Sequence, residues 1–179
     1  MFRYLGLALV LLSWAAGGYL LSRWHNKDLP TLSKHGASST QAYALFAGSL
    51  AVLGTLFYWW LVAWFAPHLH LGTLFVATTT LAMSCQVITG LVPDTTGWLR
   101  RVHRTTAYTM AVSYLPMAIL IISAPASAAV RILCTLLACY MAITFTAVVL
   151  FGRSRQRFLQ FQIAYIGAFQ VVILLAAYA

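Results

Sequence analysis

The chain has 179 residues, of which 62% are hydrophobic and only 7% charged, so it lacks the polar surface that a soluble domain needs. Its net charge of +9 reflects a scarcity of acids, Asp28 and Asp94 standing alone against 11 Lys and Arg, rather than a basic tail. Nucleic acid is a poor partner for such a chain, and anionic lipid headgroups are the natural neighbours of its cations.

A hydrocarbon core about 30 Å thick takes about 20 helical residues to cross. Six apolar stretches reach that length: 4–22, 42–66, 71–92, 106–124, 132–151 and 159–178. They leave little chain over, so the sequence predicts an all-α, polytopic six-helix transmembrane bundle forming a single domain over 1–179.

The first stretch has the outline of a signal peptide, with Arg3 before it and the small residues Ala15, Ala16, Gly17 and Gly18 near its end. Cleavage would leave Arg23, Lys27 and Lys34 on the translocated side, against the positive-inside rule. A retained helix with its N-terminus outside puts these three residues in the cytoplasm, together with Arg100, Arg101 and Arg104 and then Arg153, Arg155 and Arg157. Only Arg3 and Arg131 lie elsewhere. The expected placement is thus the bacterial inner membrane, with N and C termini both on the extracytoplasmic side.

The second stretch carries Ala47, Gly48, Ala51 and Gly54, a face on which another helix can approach closely. Pro67 follows it, as Pro93 and Pro125 follow the third and fourth, where a proline ends a helix without losing an internal hydrogen bond. His68 and His70 are two residues apart and fit no common helix face, while His25, His35 and His103 lie in gaps or at helix ends. Neither haem ligation nor a metal site is therefore expected.

The third stretch is rich in polar side chains, among them Thr78, Thr79, Thr80, Gln86 and Thr89. Thr79 and Gln86, seven residues apart, share a face. Amides in hydrocarbon need partners, and Gln162 and Gln170 offer them from the sixth stretch. The two helices are expected to face one another or to line a small polar cavity, as interhelical bonds or as a path for a small neutral or amphipathic solute. No charged residue lies at mid-membrane, which argues against a proton-coupled pump or ion exchanger.

Between the third and fourth stretches, residues 93–105 hold Asp94 where one helix ends and His103 where the next begins. A carboxylate that fixes an imidazole tautomer is a feature of general-base sites, which makes Asp94 and His103 the catalytic candidates. The simpler reading has Asp94 capping the loop or pairing with Arg100, Arg101 or Arg104. Pro116 falls inside the fourth stretch and predicts a kink whose freed carbonyl is met by a neighbouring group. Cys134 and Cys139, five apart, lie on different faces of the fifth helix and, like Cys85, are read as packing residues. Aromatic belts are expected from Trp24, Tyr43 and Trp98 on the inner side and from Tyr4, Trp59, Trp60, Trp64 and Tyr178 on the outer.

Two passages carry a family resemblance. Leu29-Pro30-Thr31-Leu32-Ser33 with Gly36, then Leu45-Phe46-Ala47-Gly48 with Gly54, resemble the loop and second helix of the bacterial membrane family designated domain of unknown function 998. Thr89-Gly90-Leu91-Val92-Pro93-Asp94 followed by Val102-His103-Arg104 resembles its second signature. That family is distantly similar to the six-span DRAM and Frag-type membrane proteins. The resemblance implies six spans and an association with lipids, and it carries over Asp94 and His103; it implies no reaction.

The residues show neither a His-x-x-x-His pair nor a Gly-x-Ser-x-Gly elbow. The leading expectation is a lipid-interacting or membrane-organising protein without a cofactor, its partners anionic membrane lipids at Arg100, Arg101, Arg104, Arg153, Arg155 and Arg157. A membrane-embedded lipid-modifying hydrolase or acyltransferase working at Asp94 and His103, and a solute carrier, are the competing expectations.

Overall fold

The computed structural model describes residues 2–26, 28–124, 127–150 and 158–179; Lys27, Pro125, Arg153, Arg155 and Arg157 lie outside the described residues. The described residues form helices and no strands. Six helices are long and apolar enough to span a membrane: α1 Phe2–Arg23, α3 Thr40–His68, α4 Thr73–Leu91, α5 Gly97–Ile122, α6 Ala128–Leu150 and α7 Phe158–Tyr178. A five-residue helix, α2 Leu32–Gly36, lies in the connection between α1 and α3.

Local chemistry sets several of these boundaries. Thr31 caps α2, its hydroxyl accepting from Lys34 N at 3.2 Å, and Ser39 caps α3 through Ala42 N at 3.1 Å. Near its far end α3 widens into a π turn over Leu61–Phe65, just before Pro67. A proline ring collides with the carbonyl four residues back, so a wider turn lets the helix carry Pro67 at this point. Gly97 opens α5 at φ +61°, a conformation that side chains rarely adopt.

α5 begins nine residues ahead of the apolar stretch that announces it. Hydropathy measures the part of a helix in hydrocarbon and is blind to polar turns beyond it, whereas Leu and Arg are good helix formers anywhere. Residues 97–105 are consequently helix, and Arg100, His103, Arg104 and Ala107 recur on one face at helical spacing.

The helices close into a ring. α1 packs on α3, α3 on α4, α4 on α5, α5 on both α6 and α7, and α7 returns to α1, with α2 wedged against α1 and α3. Of the small residues on α3, Ala47 and Gly54 are buried; a side chain at Gly90 of α4 would meet Leu50 Cβ at 2.9 Å and Ala47 O at 3.5 Å. Gly48 instead faces open space. Pro116 lies inside α5, which runs on to Ile122. One position before the carbonyl that this proline deprives of a donor, Ala111 O accepts from Tyr165 Oη at 2.6 Å.

Packing is uneven along the bundle. At one end, Trp60, Leu61, Phe65, Phe75, Met117 and Ile173 form a dense core, all fully buried or nearly so. Trp60 therefore sits inside the bundle and not in an outer aromatic belt: its ring stacks between Phe57 and Trp64, and its Nε1 donates to Phe2 O at 2.9 Å. Ring neighbours and a carbonyl partner together satisfy both the apolar body and the N–H of a buried indole. At this end Tyr178 Oη also donates to Arg3 O at 2.6 Å, joining the first and last helices. The opposite end carries Arg23, Lys34, Arg100, Arg101 and Arg104, and is more open.

Candidate functional site

The open end is organised by α2, which lies across the bundle as a strap. Lys34 Nζ donates to the main-chain oxygen of Asp94 at 2.6 Å and stands 3.5 Å from Asp94 Oδ2. Leu32 N donates to Gln162 Oε1 of α7 at 3.2 Å. Within the strap the Thr31 and Ser33 hydroxyls lie 3.0 Å apart, and His35 Nδ1 donates to Thr31 O at 2.8 Å. His35 is fully buried, and its Nε2 has no hydrogen-bond partner among the described residues.

Asp94 is 7% exposed and pairs with two cations, Lys34 and Arg100, the latter through Nε at 3.7 Å from Oδ1. Among the described residues it makes no hydrogen bond to His103, and its pairing with Arg100 is the simpler of the two readings that the sequence offered. His103 Nδ1 is held by Val92 O at 2.7 Å, because the end of α4 presents a carbonyl with no helical donor beside the start of α5. A carbonyl only accepts, so Nδ1 carries the proton and a neutral His103 keeps Nε2 as a bare lone pair.

Two connected spaces open under the strap. The outer one, about 520 Å³, is lined by Pro30, Thr31, Lys34, Asp94, Arg100, Arg104 and Tyr108, whose charged and polar ends and apolar stems both face it. The inner one, about 170 Å³, runs between the helices past Phe46, Leu50, Ala107, Phe145, Phe161 and Ile166. Thr31, Asp94, Arg104 and Tyr108 line both and so form a neck, with His103 just inside it. On α5 the lining extends from His103 to Tyr114, about 16 Å at 1.5 Å per residue. Ala107 and Ala111 interrupt a wall of aromatic and branched side chains, and their small size leaves the inner space open. Tyr114 bounds it in depth, stacked on Phe169 at 4.2 Å.

The amides singled out in the sequence take separate partners. Gln86 accepts from Tyr114 Oη at 3.2 Å and donates to Leu50 O at 3.4 Å, tying α4 to α5 and α3. Gln170 accepts from Trp14 Nε1 and donates to Ser13 Oγ at 3.1 Å, tying α7 to α1. Gln162 alone of the three lines the cavity. The third and sixth spans therefore do not meet through their amides, since α5 and α3 stand between them in the ring. Thr79 is fully buried, with no hydrogen-bond partner among the described residues, while Thr78 and Thr80 donate to Leu74 O and Val76 O of their own helix. From α4, Thr89 alone reaches the cavity among the described residues.

Arg101 is exposed and lines neither space. Lys34, Tyr108 and the aromatic lining escaped the sequence reading. A signal for part of them exists: His103, Arg104, Ala107, Ala111 and Tyr114 keep to one helical stripe, visible once α5 is started at Gly97. Among the described residues, no three His, Cys, Asp or Glu side chains are grouped as metal ligands.

Six such helices make this an integral, multi-pass membrane protein. Compared with known proteins, the chain matches no family profile, no curated protein and no solved structure.

Proposed function

We propose that this is a bacterial inner-membrane protein that binds anionic phospholipid at its basic end, with that end in the cytoplasm and both termini outside. One observation carries the reading: a mouth with three cations against one carboxylate, Lys34, Arg100 and Arg104 around Asp94, continues into an apolar space between helices. A phosphate suits the first and an acyl chain the second. The clustering of Lys and Arg in alternate connections supports the orientation. The resemblance to the family designated domain of unknown function 998, itself distantly similar to the lipid-associated DRAM and Frag-type proteins, leans toward the same class of ligand.

The test is the lipid retained by detergent-purified protein. Anionic species are expected at several times their share of the source membrane, and Arg100→Gln with Arg104→Gln is expected to bring them down about threefold or more. Retained lipid that mirrors the membrane in both proteins would remove the proposal.

A lipid-modifying enzyme is a second reading, favoured by the fixed tautomer of His103 beside the cavity. On that reading His103→Gln abolishes turnover of bound phospholipid, followed by mass spectrometry, while lipid binding persists. Equal product yield from the two proteins, or none from wild type, counts against it.

A further inference from the structure

The neck of the cavity contains two polar atoms that find no hydrogen-bond partner among the described residues. Asp94 Oδ1 is buried and accepts no hydrogen bond from the described residues; Arg100 Nε, at 3.7 Å, is near enough for charge attraction but too far for a hydrogen bond. Arg104 Nε is buried and donates to none of them. Both side chains line the outer and the inner space. An unsatisfied buried carboxylate oxygen is costly, and more so beside low-dielectric surroundings. The site therefore asks for two things together: an anion for the cations and a hydrogen-bond donor for Asp94.

From this we infer that the neck selects a phosphodiester headgroup bearing a hydroxyl, as in a glycerol-headed phospholipid. The phosphate lies against Arg104 and its neighbouring cations, the headgroup hydroxyl donates to Asp94 Oδ1, and one acyl chain enters the inner space. This rests on the lipid-binding reading above and deepens it from charge to headgroup identity. A phosphate monoester fits less well, because its second negative charge faces the carboxylate. A primary ammonium brings a donor but adds a positive charge where three cations already stand. The inner space, about 170 Å³, is of the order of the ~150 Å³ apolar cavity that takes a benzene ring, so it admits the leading part of one chain and not two.

The experiment uses the full chain in detergent and short-chain phospholipids, with affinity read by calorimetry. Phosphatidylglycerol is compared with phosphatidylethanol, which has the same charge and no headgroup hydroxyl, with phosphatidylethanolamine, and with two chainless probes, glycerophosphoglycerol and inorganic phosphate. Phosphatidylglycerol is expected to bind about tenfold or more tightly than phosphatidylethanol, the usual range for a hydrogen bond to a charged group. In Asp94→Asn the preference is expected to shrink to within about threefold. Should that variant fail to fold, the wild-type comparison decides alone. Equal binding of phosphatidylglycerol and phosphatidylethanol overturns the hydroxyl readout and leaves lipid binding standing, and tighter binding of phosphatidylethanolamine overturns the choice of hydroxyl over ammonium. Chainless probes that bind as well as the phospholipid overturn the lipid as the source of the headgroup. Binding of no phospholipid at all removes the parent reading instead.

Discussion

Ala107→Trp is expected to expel bound phospholipid, lowering the amount retained through purification about fivefold or more, while the protein stays folded. Ala107 lies on the stripe of α5 that faces the cavity, one turn inside Arg104, and lines the inner space together with Phe145 and Phe161. An indole there occupies the volume assigned to the acyl chain. Filling a tight core with extra atoms costs about 1–3 kcal/mol; here space already exists, so most of that penalty is absent. The bilayer is as apolar as the cavity wall, so the chain gains little by mere transfer and depends on packing. Blocking the packing surface therefore removes most of the advantage of the site. Ile119→Trp is the control, because Ile119 is on the same helix and 61% exposed on the outer face of the bundle. The measurement is phosphorus quantified per mole of protein. Retention by Ala107→Trp at the wild-type level would mean that the inner space is not where the chain goes.

The largest loss of stability is expected from Trp60→Ala, about 3–5 kcal/mol, the range for emptying a large aromatic site. Trp60 is fully buried, its ring centroid lies 5.3 to 5.7 Å from those of Trp64, Phe65 and Phe57, and its Nε1 holds Phe2 O. Gly6 of α1 lies close against that ring, with no room for a side chain. Removing the indole opens a void between α1 and the π turn of α3 and leaves a carbonyl without its donor. Trp60→Phe keeps most of the volume and is expected to recover more than half of the loss. Equilibrium unfolding in mixed micelles measures both. Lipid retention is expected to be unchanged wherever the variants remain folded, because Trp60 belongs to the dense end and the cavity to the other. A cost below about 1 kcal/mol would show that this end repacks around the gap.

The two sites differ in how far the chain announces them. Six spans and a basic end can be read directly, because hydropathy and charge are sums over neighbouring residues and survive any arrangement of the helices. The face of α5 could also have been found: Arg100, His103, Arg104, Ala107 and Ala111 keep helical spacing, and treating 93–105 as a loop concealed it. Trp60 could not have been told from Trp59 in the same way. The two are adjacent and chemically identical, yet one is 46% exposed and the other fully buried, since successive helical positions point about 100° apart and only the neighbours decide which direction is inward.

Asp94 shows the same division at the site. Its position at the turn between α4 and α5 follows from Pro93 and the end of an apolar run, and its pairing with a nearby arginine is a local matter. Its second partner, Lys34, is 60 residues away. That contact exists because the cap of Thr31 starts a short helix that the ring of long helices brings over the cavity. His103 found Val92 O rather than Asp94 because two helix ends met there, and Gln86 and Gln170 bonded to separate helices because the ring order kept α4 from α7. By itself, then, the sequence determined that the chain spans a membrane and which of its ends is basic, both consequences of local composition. Which side chains face each other across the bundle, and hence the cavity, its strap and the polar atoms at its neck, was decided by helix packing alone, where close contacts between distant residues outweigh any local preference.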